Sequence, residues 1–178
     1  MTIIMVIDTE TTGLDKINEY ILQISYIIYD TVNCIELKEL DFIINVPVKI
    51  TNSHIHKITD DISLKGYEFK EIIDIIIDDI KYCDILVGHN LIFDIQMIEV
   101  ELNRLQLYDE IDLIYKKKYY DTMKNSVDIC KIQGKYGKYK YPKLSELYYY
   151  FFECEFVDQH NALGDVRATL DCYLKLVS

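Results

Sequence analysis

The stretch from Ile3 to Leu14 places the tightest limit on how this chain can fold. Ile3-Ile4-Met5-Val6-Ile7 is an unbroken apolar run, mostly β-branched and without polar alternation, which predicts a central strand covered on both faces. The strand ends in Asp8 and Glu10, ahead of a Thr11-Thr12-Gly13 turn. Successive side chains on a strand point to opposite faces, so Asp8 and Glu10 share a face and lie within about 6 to 7 Å of each other. Two carboxylates this close at a buried strand end repel unless a proton or a cation neutralises them, which points to a hard-metal site built of oxygen ligands. The plainer reading is an exposed acidic strand end before a turn.

Composition bounds what such a site can serve. The chain has 178 residues, half of them hydrophobic, enough for one full-sized core. With two Pro, six Gly and no linker-like run, residues 1–178 read as a single domain without internal repeats. The skew toward Ile, Lys, Asp and Tyr matches the codon bias of an AT-rich genome, so tyrosine number alone carries no function. The opening apolar run is too short to span a membrane and meets Asp8 where a signal peptide would still be apolar. An intracellular, cytoplasmic protein with no membrane partner is therefore expected. The five cysteines are odd in number and scattered, without the paired spacing of a zinc site, and read as reduced thiols. A net charge of −11 argues against a protein that coats nucleic acid through clustered Lys and Arg. It leaves open one that processes nucleic acid at a metal-filled cleft, where two divalent cations would offset about four negative charges.

In chain order, residues 20–29 and 34–46 predict two further strands joined by a turn at 30–33. Residues 51–56 read as loop, and Thr59-Asp60-Asp61 as the cap and first turn of a short helix. A longer helix is expected over 67–82. His54 and His56 suit a structural or solvent role better than a metal pair, because no acid or thiolate stands near them except the helix cap. Residues 85–88 form a short buried-type strand, and a helix capped by Asn90 runs to about Leu107. Asp94 falls in its first turn, where it can aim back at Asp8 and Glu10 or simply suit the helix dipole. Two stretches, 115–120 and 131–143, interleave lysine with tyrosine. Such a pattern can stack unpaired bases while meeting phosphates, or it can be a solvated loop. Asp121-Thr122-Met123 begins a helix and 144–152 is another. Finally, residues 158–169 turn from loop into a terminal helix with Leu163, Val166, Leu170 and Leu174 facing inward. That segment carries Asp165 in its first turns and His160 just ahead.

Three segments in order, Asp8-Thr9-Glu10-Thr11-Thr12-Gly13-Leu14, His89-Asn90-Leu91-Ile92-Phe93-Asp94 and His160-Asn161-Ala162-Leu163-Gly164-Asp165, resemble the motifs of the DEDDh 3′→5′ exonuclease superfamily. That group includes the proofreading epsilon subunit of bacterial DNA polymerase III, ribonuclease T and oligoribonuclease. The similarity extends to His56-Lys57-Ile58-Thr59, Asp121-Thr122-Met123 and Lys143-Leu144-Ser145-Glu146-Leu147, so it covers nearly the whole chain. Asn161 stands where the tyrosine branch of the superfamily would want Tyr, which selects the histidine branch. Lys57 and Gly164 replace a Gly and an Ala commonly seen there.

The resemblance implies a ribonuclease H-like α/β fold, a mixed five-stranded sheet flanked by helices, with three antiparallel strands first. It implies that Asp8, Glu10, Asp94 and Asp165 hold two divalent cations, Mg²⁺ or Mn²⁺, in a two-metal hydrolysis of phosphodiesters, with Asp8 as bridge. His160 would be the general base, its imidazole pKa suiting that task near neutrality. Thr11, Thr12 and Leu14 would cradle or wedge the terminal nucleotide, and His89, Asn90 and Phe93 would line the opposite wall. The expected substrate is a single-stranded or frayed 3′ end, DNA in preference to RNA, processed to nucleoside 5′-monophosphates in proofreading or repair, with a polymerase or replication complex as a possible partner. The alternatives are an exoribonuclease acting on short or single-stranded RNA, and a non-catalytic binding module on the same fold.

Overall fold

A computed structural model of the chain describes residues 2–15, 17–156 and 161–178. Its centre is the strand β1 (Ile3–Thr11). Hairpin-connected β2 (Ile21–Asp30) and β3 (Ile35–Ile43) follow. Two single-turn helices, α1 (Ser53–His56) and α2 (Asp60–Ser63), then lead into α3 (Phe69–Tyr82) and β4 (Ile85–Gly88). Next come α4 (Leu91–Arg104), α5 (Tyr108–Tyr115) and β5 (Lys118–Asp121). The chain closes with the short α6 (Thr122–Asn125) and α7 (Val127–Cys130), then α8 (Leu144–Phe152) and α9 (Ala162–Val177). The sheet order is β3-β2-β1-β4-β5. The first three strands pair antiparallel, while β4 and β5 run parallel to β1. This is the expected mixed five-stranded α/β sheet.

The unbroken apolar run of β1 is explained by what covers it. Ile3, Met5 and Ile7 face a core shared with α3 and α4, through Ile72, Ile76, Ile95 and Ile98. Ile4 and Val6 face Val166, Leu170 and Tyr173 of α9. Burying each such side chain contributes roughly 1.5–3 kcal/mol, so the central strand is pinned from both sides. The outer strand β3 carries Glu36, Lys38, Glu39 and Asp41 along an edge with no buried residue, and these charges discourage pairing with another chain.

Several local expectations are corrected. β1 continues through both acids to Thr11, with a register shift only between Glu10 and Thr11, because β2 goes on pairing with it. Residues 53–56 form a helical turn where a loop was expected. Residues 115–120, one of the two lysine-tyrosine stretches, are the end of α5 and the edge strand β5. On α9, Leu163 is only half-buried and lines a groove with Tyr148 and Phe156, while Ala162, Thr169 and Tyr173 join Val166 and Leu170 inside. Among the described residues no helix is long and apolar enough to cross a membrane.

Candidate active site

The alternation of β1 sorts its polar end into two faces. Asp8 and Glu10 point to the α9 side and Thr9 to the α4 side. The β1–β4 ladder stops at Val6–Val87, which leaves the next stretch of β1 open along that edge. The first turn of α4 closes against it, and Asp94 accepts hydrogen bonds from the Thr9 N–H (3.0 Å) and the Thr9 hydroxyl (2.7 Å). On the other face α9 begins beside the sheet. Asn161 caps it by accepting from the Leu163 and Gly164 N–H groups. Gln23 accepts from the Ala162 N–H (3.4 Å) and donates to Asp41 (2.7 Å), so β2 and β3 set where α9 starts.

These placements bring the half-buried carboxylates of Asp8, Glu10 and Asp165 together, with one oxygen from each lying within 4.8 Å of the others. Asp94 stands beside this cluster, held by Thr9, and its charge bears on both Asp8 and Glu10. Burial raises the Asp8 carboxyl well above its ordinary value, and Asp94, Asp165 and Glu10 push it further. Glu10 is pushed up to about 8, first by burial and then by Asp165 and Asp94. Asp94 rises to about 7 because burial outweighs the two Thr9 hydrogen bonds. Among the described residues no protein cation forms an ion pair with Asp8, Glu10 or Asp94. A converging, all-oxygen donor set of this kind fits a hard divalent cation.

The motif-I loop is folded by its own side chains. The Thr11 hydroxyl donates to the Gly13 carbonyl (2.7 Å), and the Thr12 hydroxyl donates to Glu19 and accepts from the Tyr20 N–H (2.9 Å). A Cβ on Gly13 would lie 2.6 Å from the Glu19 carboxylate, so a larger residue there would push aside the group that holds Thr12. Leu14, at the end of this loop, is left 83% exposed. Asn90 adopts a left-handed φ of 70°, and its side chain does not cap α4 as expected. Instead its N–H donates to Asp121 (3.1 Å), leaving the residue exposed. Phe93 packs its half-buried ring against the α4-side core. His89 is tied at both nitrogens, to the Thr122 hydroxyl and to the Pro142 carbonyl, each at 3.0 Å. Burial holds its pKa down, so it acts as a neutral brace of the cleft wall. His160 lies outside the described residues.

Two supports escaped sequence reasoning. Asp121 is buried at the end of β5. It caps α6 through the Met123 and Lys124 N–H groups, holds Asn90, and adds repulsion to Asp94. The other support is a relay. The Ile58 N–H donates to His56 Nδ1, which leaves Nε2–H to donate to the Asn52 carbonyl oxygen (3.1 Å). Asn52 in turn donates to the Thr11 carbonyl (2.9 Å). The Asp121-Thr122 and His56-Lys57-Ile58 segments were visible as family-like, but nothing local in them reveals these distant partners. A cleft of about 560 Å³ runs from Asp165 past His89 and Met123 to Tyr141 and Lys143.

A ribonuclease H-like sheet with carboxylates gathered on its central strand defines the class of this protein. The chain belongs to the RNase_T exonuclease family, whose profile matches residues 5–173. Membership of the exonuclease superfamily, expected from the three motifs, is borne out. The chain is 27% identical over 180 residues to the PolC-type DNA polymerase III of Caldanaerobacter subterraneus subsp. tengcongensis, covering 97% of this chain and 11% of that protein. In fold it is similar to E. coli exonuclease I in complex with a dT13 oligonucleotide, with a TM-score of 0.80, 15% identity and coverage of 100% of this chain and 41% of that one. It is also similar to a full-length 3′-exonuclease, with a TM-score of 0.76, 12% identity and coverage of 98% and 60%. The chain therefore spans about a tenth of the polymerase and two fifths of exonuclease I.

Proposed function

We propose that this chain hydrolyses single-stranded or frayed DNA from the 3′ end, releasing nucleoside 5′-monophosphates. The observation that carries the reading is the meeting of Asp8, Glu10 and Asp165 within 4.8 Å, in a chain of the RNase_T family. In this reading Asp8, Glu10, Asp94 and Asp165 hold two divalent cations, Mg²⁺ or Mn²⁺. Bound there, such cations supply charge neutralisation at the scissile phosphate and make water more acidic. His160 takes the proton of the attacking water, since a neutral imidazole near its ordinary pKa is suited to accept it at neutral pH. Thr9 orients Asp94, and the Asn161 cap orients the turn that carries Asp165. Leu14 wedges the terminal base while Thr11 and Thr12 shape the loop around the nucleotide, and His89, Asn90 and Phe93 form the facing wall. The single-stranded oligonucleotide bound in the exonuclease I structure supports DNA as substrate. Similarity to a PolC-type polymerase supports a role beside a polymerase in proofreading or repair.

The test is a timed digestion of matched 5′-labelled DNA and RNA strands with Mg²⁺, Mn²⁺ or chelator. We expect a ladder shortening from the 3′ end, faster on DNA and abolished by chelator or by Asp8→Asn, with His160→Ala leaving only slow, metal-dependent cleavage. Full activity in Asp8→Asn would overturn the reading, and preference for RNA would overturn the substrate assignment.

A further inference from the structure

The lysine-tyrosine stretch 131–143 is an ordered arm rather than a length of slack loop. It leaves α7 through Lys131 in a left-handed conformation (φ 50°) and folds into a narrow ribbon. The Lys140 N–H donates to the Ile132 carbonyl (2.9 Å) and the Gly134 N–H to the Lys138 carbonyl (2.8 Å), with Gln133 paired antiparallel to Tyr139. A Cβ on Gly134 would come within 2.8 Å of the Lys138 carbonyl, so the two sides approach as closely as glycine allows. The tip turns at Tyr136 and Gly137, both at positive φ. The base is fixed to the candidate site. His89 holds the Pro142 carbonyl, and Glu146 accepts from the Lys143 N–H (2.7 Å) and pairs with Lys140. Tyr141 and Lys143 line the same cleft as Asp165.

The surface of this arm is opposite in character to the rest of the chain. Five lysines and no acid stand in these thirteen residues, in a protein of net charge −11. Lys131, Lys135 and Lys138 have no carboxylate partner among the described residues. Tyr136 is 97% exposed, Tyr141 59% and Tyr139 41%, and none of the three stacks on another ring of the described residues. On a two-stranded ribbon Tyr139 and Tyr141 share one face and Lys138 and Lys140 the other. The other lysine-tyrosine stretch is partly engaged by the fold: Lys117 donates to the Lys81 and Cys83 carbonyls, Tyr119 to that of Ile114 and Tyr115 to Glu99.

We propose that residues 131–143 hold the single strand 5′ of the nucleotides in the acidic cleft, with unpaired bases stacking on Tyr136 and Tyr139 and phosphates meeting Lys131, Lys135 and Lys138. Exposed rings beside unpaired cations are the chemistry of sequence-tolerant single-strand binding. The proposal rests on the exonuclease reading of the neighbouring acids, and it makes efficiency depend on strand length.

The experiment compares kcat/KM on a trinucleotide and on a strand of about twenty nucleotides, long enough to cover one single-strand site. Tyr136→Ala/Tyr139→Ala should lower the long-to-short ratio by at least about 5-fold, the lower bound for losing even one stacked base, while the Phe pair retains it. Lys135→Gln/Lys138→Gln should reduce the salt slope of long-strand binding by about 0.7 for each phosphate that a lysine no longer neutralises. An unchanged ratio in the tyrosine variant overturns the arm while leaving the exonuclease standing. Should the unaltered protein cleave neither substrate, the exonuclease reading fails and anisotropy of the labelled long strand without metal judges the arm: weaker binding by both variants upholds it, and equal binding overturns it. Tighter, variant-sensitive binding of an acidic peptide than of the strand also overturns it.

Discussion

Glu101 on α4 and Glu10 on β1 are glutamates of one small protein with opposite surroundings. Glu101 accepts from the Arg104 guanidinium (2.8 Å) and the Ile21 N–H (3.2 Å), and Arg104 itself donates to the Glu19 carbonyl and lies over the Tyr20 ring. Burial raises the Glu101 carboxyl, but Arg104 and Ile21 pull against that rise. Among the described residues Glu10 has no such partner, and the charges of Asp165 and Asp94 add to the rise that burial causes. The first arrangement uses internal charge to fasten the segment leading into β2, and through Tyr20 the Thr12 loop. The second leaves, among the described residues, a concentration of negative charge that protons or a bound cation would balance. Buried acids are thus structural where the chain supplies the cation, and candidate metal ligands where it withholds one.

Neutralising one member of each set tests this contrast most severely. Glu10→Gln should lower exonuclease activity at least about 100-fold, since cation stabilisation of such a reaction is worth several kcal/mol. The same change should raise the melting temperature of the metal-free protein, because a repelled carboxylate is removed. Glu101→Gln should do the reverse to stability. Breaking a buried pair costs about 3–5 kcal/mol, and because Arg104 keeps its other partners we expect about 2 kcal/mol in denaturant unfolding. If both substitutions destabilise equally, the distinction between the two glutamates fails.

The pH dependence sharpens the contrast at a smaller scale. Glu10 at about 8 and Asp94 at about 7 bind protons more tightly folded than unfolded. Their contribution to stability is therefore fully present below their ordinary values near 4 and is lost as pH rises through 7 to 8. The metal-free melting temperature should fall over that window. Millimolar Mg²⁺ or Mn²⁺ should restore it by about 1–3 kcal/mol at the alkaline end and much less under acid, where protons compete for the same oxygens. A metal effect independent of pH would disconnect the cation from these carboxylates. The smallest effect is expected from Asn52→Ala, which cuts the relay from His56 to the Thr11 carbonyl. Loss of a hydrogen bond worth about 1 kcal/mol should raise KM a few-fold with kcat little changed.

Much of this was legible in the chain itself because it depends on short-range pattern. The apolar run into Asp8 foretold a strand buried on both faces, and α8 fell on residues 144–152 as expected. What local pattern missed was decided by distant partners. Asn90 stands at the start of α4 as expected, but its left-handed backbone leaves its side chain out of the cap, while its N–H donates to Asp121, thirty-one residues later. His89 gives no local sign of the partners that fix its ring, the Thr122 hydroxyl and the Pro142 carbonyl. The two lysine-tyrosine stretches read alike, and only packing separates the sheet edge at 118–121 from the projecting arm at 131–143.

Residue type and order, by themselves, determined the family, the period of β1 and the identity of the acids, since these are written in covalent sequence. Tertiary structure alone decided that Asp8, Glu10 and Asp165 share 4.8 Å of space while Asp94 is drawn to Thr9. It also decided that Glu101 has its cation while Glu10 has none among the described residues. The physical reason is that distances between residues eighty or more positions apart are set by strand pairing and by the angle at which each helix packs, and no short stretch of sequence encodes either.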